Sequence, residues 1–121
     1  YAECLNETSS TDEAKTYLNQ VRNRAGINGT TASTQEEMRL AIENERYVEL
    51  CFEGHRWFDL VRWEGVAGNG LKAHMDAYKA SESAEVQGHI QEFVAGKHEI
   101  FPIPQEERQL NPTYMEQNPG Y

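Results

Sequence analysis

Acidic residues set inside an apolar helical stripe, in the run MRLAIENERYVELCFEGHRWFDLVRW at residues 38–63, constrain this chain more than any other feature. At roughly 100° per residue, Val48, Ala41, Phe52, Met38 and Ile42 share one arc of a helix, with Glu45 and Glu49 in its middle. Leu50, Tyr47, Leu40 and Cys51 form a second apolar arc on the far side, leaving a strip for Arg39, Glu43, Arg46 and Glu53. A helix apolar on two faces is expected at the centre of a fold, packed on both sides. A carboxylate on a buried stripe must find a cation or hydrogen-bond donors, because burying a lone charge is very costly. Beyond Gly54, the second helix HRWFDLVRW repeats Arg56, Asp59 and Arg62 every three residues, opposite Leu60, Trp57, Val61 and Phe58. Arginine's planar fork suits bidentate pairing with carboxylates. Glu45, Glu49, Arg56, Asp59 and Arg62 are therefore expected to form one structural ion network where the two helices meet. The sharper reading makes Glu45 and Glu49 an acid/base pair, but carboxylates beside several arginines are more often structural ions.

The balance of 20 acidic against 11 basic residues, net −9, argues against a nucleic-acid partner and against an anionic membrane surface. No apolar run approaches the ~18 residues that span a bilayer. Cys4 and Cys51 are too few for a disulfide framework, and Cys51 reads as a small buried hydrophobe. His55, His74, His89 and His98 lack ligand spacing, so neither a metal nor a cofactor is expected. There is no nucleophile elbow, phosphate loop or dinucleotide fingerprint.

Residues 1–7 read as the last turns of a helix. Ser10 and Glu13 match a capping box opening a second helix, and Gly26 suits its left-handed stop. The pair forms a helical hairpin. Arg22 and Arg24 fit the dipole at that helix's end or simple solvation. Thr34 and Glu37 form a second box that opens the central helix. After Gly65, Gly68 and Gly70, a weakly amphipathic helix is expected over 71–80, then loop over 81–96 with a short extended piece near 90–94. Phe101-Pro102-Ile103-Pro104 must be extended, and Pro104 can open a short helix over 105–110. Residues 111–121 are too proline-rich for regular structure. Tyr114, Met115 and Tyr121 suggest that they are pinned onto the helices, with Phe101 and Ile103 buried.

The run E-R-x-x-E-L-x-F-E-G-x-R-x-x-D-L-x-R-W, from Glu45 to Trp63, resembles the C-terminal region of SusD/RagB proteins. So does the ending with Phe101-Pro102-Ile103-Pro104, Asn111-Pro112 and Gln117-Asn118-Pro119-Gly120-Tyr121. The resemblance implies a mainly α fold of TPR-like helical hairpins with an irregular, proline-rich C-terminal segment. It implies that residues 1–121 are the C-terminal part of such a domain, the N-terminal portion being absent.

It also implies a non-catalytic nutrient-binding lipoprotein at the outer-membrane surface of Bacteroidetes-type bacteria. Such a protein delivers ligand, an oligosaccharide above all, to a SusC-like TonB-dependent transporter, and is attached by an N-terminal lipid outside these residues. Glycan sites use exposed aromatic faces. Among Trp57, Trp63, Tyr78 and Phe93, Trp57 belongs to the apolar helix face, which leaves Tyr78 and Phe93 as the ligand-binding candidates. The alternatives are a helical-repeat adaptor with an exposed apolar groove, and a glycoside hydrolase using Glu45 and Glu49.

Overall fold

Every regular element in the computed structural model, which describes residues 1–63 and 70–121, is an α-helix. In chain order these are α1 (Ala2–Glu7), α2 (Thr11–Arg24), α3 (Gln35–Glu49), α4 (Arg56–Arg62), α5 (Leu71–Ser81), α6 (Ala84–His89) and α7 (Gln105–Leu110). They divide between two compact units, Tyr1–Phe58 and Asp59–Tyr121. Gly65 and Gly68, read above as part of a loop, lie outside the described residues.

The first unit is the hairpin α1–α2 packed against α3. Ala14 and Leu18 of α2 meet Met38 and Ile42 of α3, with Ala32 of the connecting loop completing the core. Polar side chains lock the corner between α1 and α3. The Asn6 amide, fully buried, donates to the Gln35 carbonyl at 2.9 Å, and the Gln35 amide donates to the Asn6 carbonyl at 2.8 Å. Thr11 Oγ1 donates to Asn6 Oδ1 at 3.0 Å, so each side of the buried amide has a partner. The expected box with Glu13 does not form: Ser10 caps α2 without any side-chain bond.

α2 stops as its sequence predicts. The Gly26 N–H donates to the Asn23 carbonyl and the Ile27 N–H to the Arg22 carbonyl, while Gly26 takes φ +73°, the left-handed position that glycine occupies without strain. The capping box of α3 is complete: Thr34 Oγ1 accepts from the Glu37 N–H, and the Glu37 carboxylate accepts from the Thr34 N–H. The Ser33 backbone N–H also donates to that carboxylate, and this bond is the largest of the effects holding Glu37 below the usual glutamate range.

Within the described residues, α3 buries apolar side chains on one face only, although Glu43 is buried away from it. Met38, Ile42 and Glu45 are buried, whereas Leu40 and Tyr47 on the far arc, and Val48 at the edge of the first, are exposed. The expected two-sided packing is not met. Cys51, expected to be buried, is exposed as well, because α3 ends at Glu49 and the chain turns through Phe52 and Gly54, both at positive φ, before α4 begins.

The second unit has a small core in which Leu60, Leu71 and Phe93 pack with Val61 and Met75. A six-residue helix, α6, occupies part of the segment expected to be loop. Ser83 Oγ caps it by accepting from the Val86 N–H. Its brevity and Gly88 hid it, since no apolar period can show in so short a stretch. No regular structure follows over 91–94, where an extended piece was expected.

The proline segment 101–104 precedes α7 as predicted, but its side chains are not core: Phe101 is 86% exposed and Ile103 half-buried. The C-terminal residues are pinned by hydrogen bonds instead of apolar anchors. Gln117 clamps Ile103, its Oε1 accepting from the Ile103 N–H at 2.8 Å and its Nε2 donating to the Ile103 carbonyl at 3.0 Å. Asn118 Nδ2 donates to the Phe101 carbonyl, and the Tyr121 hydroxyl donates to the Ile100 carbonyl. Gln117→Ala removes both bonds to Ile103, so amide exchange at Ile103 should accelerate while α2 and α3 keep their protection. Unchanged exchange at Ile103 would show that the clamp does not hold the segment.

Candidate functional site

Arginine does neutralise the carboxylates on the buried stripe of α3, but the arginines come from α2. Arg22 Nη1 donates to Glu45 Oε2 at 2.6 Å, with Glu45 buried and Arg22 mostly so. Arg22 Nε also donates to the Asn28 carbonyl, which fixes the guanidinium in place. Two residues on, Arg24 donates to Glu49 at the more open end of the same helix pair. These two arginines, read from the sequence as dipole partners or solvated groups, are the members of the network that sequence reasoning missed. Their positions near the C-terminal end of an adjoining helix, in the same order as Glu45 and Glu49, were the available signal.

Of the five residues expected to form one network, Glu45 and Glu49 thus pair with arginines of α2. Glu49 bonds Arg24, not Arg56 or Arg62. Arg56 Nη2 donates to Glu43 Oε1 at 2.9 Å, and its guanidinium lies 4.9 Å from the centre of the Tyr47 ring. Arg62 donates from Nε and Nη2 to Oδ1 of the buried Asp59, one turn earlier on α4, and lies over the Trp63 ring. A further pair joins α1 to α3: Arg39 grips Glu7 through Nε and Nη2 at 2.7 and 2.6 Å. That bidentate bond is the main cause holding the Glu7 carboxyl below its usual range.

A groove of about 430 Å³ lies beside the two α2–α3 ion pairs. Leu18, Val21, Ile42 and Leu50 contribute apolar lining, Tyr1 and Tyr17 contribute rings, and Arg24, Glu45, Arg46 and Glu49 contribute charge. The two rings meet edge to face, 4.7 Å between centres. A cleft of this size, largely apolar with a few polar groups, has the proportions of a small-ligand site. Glu45 is ill placed for acid/base chemistry there, being buried and held by Arg22.

The ligand candidates separate. Tyr78, on α5, is half exposed and can offer a ring face. Phe93 is 7% exposed, in the core with Leu60 and Leu71 and edge-on to His98, so its ring has no face left for a sugar. Its lack of helical period suggested a surface loop, but a loop residue can still be the keystone of a small core. Trp57, assigned to the core, is 42% exposed. Among the described residues no cluster of His, Cys, Asp or Glu is arranged to hold a metal ion. No helix among them is long and apolar enough to cross a membrane.

The architecture is that of a helical-hairpin scaffold, mainly α and bound together by arginine–carboxylate pairs. The chain belongs to the SusD family, whose sequence model matches residues 1–121. It is similar to SusD-like protein P2 of Formosa agariphila, at 32% identity over 133 residues covering 99% of this chain and 23% of the relative. SusD-like protein P25 of the same organism is 34% identical over 127 residues, covering 99% and 22%. The chain thus spans less than a quarter of the length of these curated relatives. No solved structure matches it significantly.

Because its folded-state pKa is depressed, Glu7 adds stability that is present above the ordinary glutamate range and lost as pH falls through the lower folded value. Glu7→Gln should therefore lower the melting temperature slightly at pH 7, with the gap to wild type closing on acidification below about pH 4. A gap that is constant with pH would show that the Arg39 bond contributes no charge-dependent stability.

Proposed function

We propose that these residues are the C-terminal part of a longer protein that binds an extracellular nutrient, an oligosaccharide above all, without chemically changing it. The protein is lipid-anchored at the outer-membrane surface and hands its ligand to a SusC-like TonB-dependent transporter. The observation that carries this reading is membership of the SusD family over the whole of residues 1–121. The site chemistry supports it. The carboxylates best placed for acid/base work, Glu45 and Glu49, are each bonded to an arginine, which suits a rigid scaffold and not proton transfer. Tyr78 offers the exposed ring that sugar stacking uses, and Tyr1 and Tyr17 line the groove.

The test is calorimetric titration of the full-length protein with a glycan panel, alongside a search for released products. Binding without turnover is expected. Turnover abolished by Glu45→Gln or Glu49→Gln would overturn the non-catalytic reading in favour of a hydrolase. Binding of peptides and no glycan would overturn the ligand class. Because Tyr78 is half exposed, Tyr78→Ala should leave melting nearly unchanged. If its ring stacks on the ligand, the same change should weaken binding by up to about tenfold, the equivalent of ~1.4 kcal/mol. Unaltered affinity would remove Tyr78 from the site.

A further inference from the structure

Asn28 and Gly29, in the loop that follows α2, are both exposed, and an asparagine followed by glycine is the dipeptide most prone to cyclise on itself. Glycine carries no Cβ, so its backbone nitrogen can reach the carbonyl carbon of the preceding asparagine side chain. Among the described residues, neither the Asn28 side-chain amide nor the Gly29 N–H makes a hydrogen bond that would hold it back. Asn6 and Asn19 are placed differently. Asn6 is fully buried and bonded to Thr11 and Gln35, while Asn19 Oδ1 accepts from the Thr30 N–H at 2.7 Å. Packing also demands glycine at 29, since a Cβ there would lie 3.0 Å from the Asn19 side chain.

Arg22 bears directly on the reacting peptide group. Its Nε donates to the Asn28 carbonyl at 2.8 Å while its Nη1 donates to Glu45 at 2.6 Å, so the guanidinium is fixed from both sides. Cyclisation begins with loss of the Gly29 N–H proton, and the negative charge left behind is shared with the Asn28 carbonyl oxygen across the conjugated peptide bond. A cation already hydrogen-bonded to that oxygen stabilises the charge as it develops.

We propose that Asn28 is a site of spontaneous succinimide formation, promoted by Arg22, whose product places a new carboxylate against the α2–α3 charge pair. Solvent hydroxide takes the Gly29 N–H proton, and the nitrogen attacks Asn28 Cγ to form an N–Cγ bond. The bond from Cγ to the side-chain nitrogen breaks, and that nitrogen takes a proton from water and leaves as ammonia, which regenerates the hydroxide. Water then adds to either ring carbonyl carbon. At Cγ it breaks the new bond and leaves aspartate at position 28. At the former main-chain carbon it breaks the original peptide bond. The chain then runs through Cβ and Cγ as isoaspartate, and the oxygen that accepted from Arg22 belongs to a free carboxylate. Arg22 polarises this second carbon, so isoaspartate is the favoured product. Its guanidinium is then shared between the new carboxylate and Glu45, and the loop backbone is longer by a methylene.

The test is to incubate the full-length protein at mildly alkaline pH and map its peptides by mass spectrometry, counting isoaspartate by enzymatic carboxyl methylation. The native protein should convert Asn28, mainly to isoaspartate, while Asn6 and Asn19 keep their amides. An intact Asn28, over a time in which the urea-unfolded protein converts it, would overturn the proposal. Arg22→Lys keeps a cation for Glu45 without the planar fork that reaches both oxygens at once. It should slow conversion at Asn28 by at least about threefold, a modest share for one charge-assisted bond. Conversion at the second Asn-Gly dipeptide, Asn69-Gly70, whose asparagine lies outside the described residues, should be unaffected. An equal rate at Asn28 in wild type and variant would overturn the role of Arg22. If the variant does not fold, the wild-type products still answer. The ratio of isoaspartate to aspartate at Asn28 should be higher in the native than in the urea-unfolded protein, and an equal or lower ratio would overturn that role.

Discussion

Neutralising two carboxylates on the packed side of α3 is the constraint on which the first unit depends. Glu45 and Glu49 occupy the arc that also carries Met38 and Ile42, so they enter the interface with α2 whenever those apolar residues do. A buried carboxylate left alone would cost several kcal/mol, comparable with the whole stability of a small domain. α2 meets the demand with Arg22 and Arg24 in its last turn, where a cation also opposes the helix dipole. The register of α2 on α3 is thus fixed twice, by apolar side chains at Ala14 and Leu18 and by paired charges further along. Such pairs contribute specificity more than net stability, because desolvation offsets much of their attraction.

The same geometry bears on function. The groove beside these pairs is lined by Tyr1 and Tyr17, by the arginine-bonded Glu45 and Glu49, and by Glu3. The pairing also separates the arginine-bonded residues of the motif, Glu45 and Glu49, from exposed aromatics such as Tyr78.

Much of the helical framework was legible from local signals. Thr34 and Glu37 cap α3, Gly26 ends α2 and Pro104 opens α7, because each of these effects acts within a few residues. The mainly α class followed from them and from the family motifs. What could not be read was pairing at long range. Nothing local distinguishes an Arg22 that bonds Glu45 across 23 positions from one dissolved in water. Phe93, placed in a loop by its sequence surroundings, closes a core that also needs Leu60 and Leu71. Phe101 looked like an anchor among prolines, but the polar side chains of Gln117 and Asn118 hold that segment through its backbone. Hydrophobicity indicates what would profit from burial, not whether a neighbour is present to bury it, as Leu40 and Val48 also show.

The central claim, that Arg22 and Glu45 join α2 to α3 as a charge pair and not as two separately tolerated side chains, is most directly tested by a double-mutant cycle. Arg22→Ala, Glu45→Ala and the double variant should be compared by denaturant unfolding at pH 7. The account predicts that each single change destabilises by about 1–3 kcal/mol, since each strands a mostly buried partner, and that the double variant loses markedly less than the sum. Additive losses, with a coupling energy indistinguishable from zero, would contradict it.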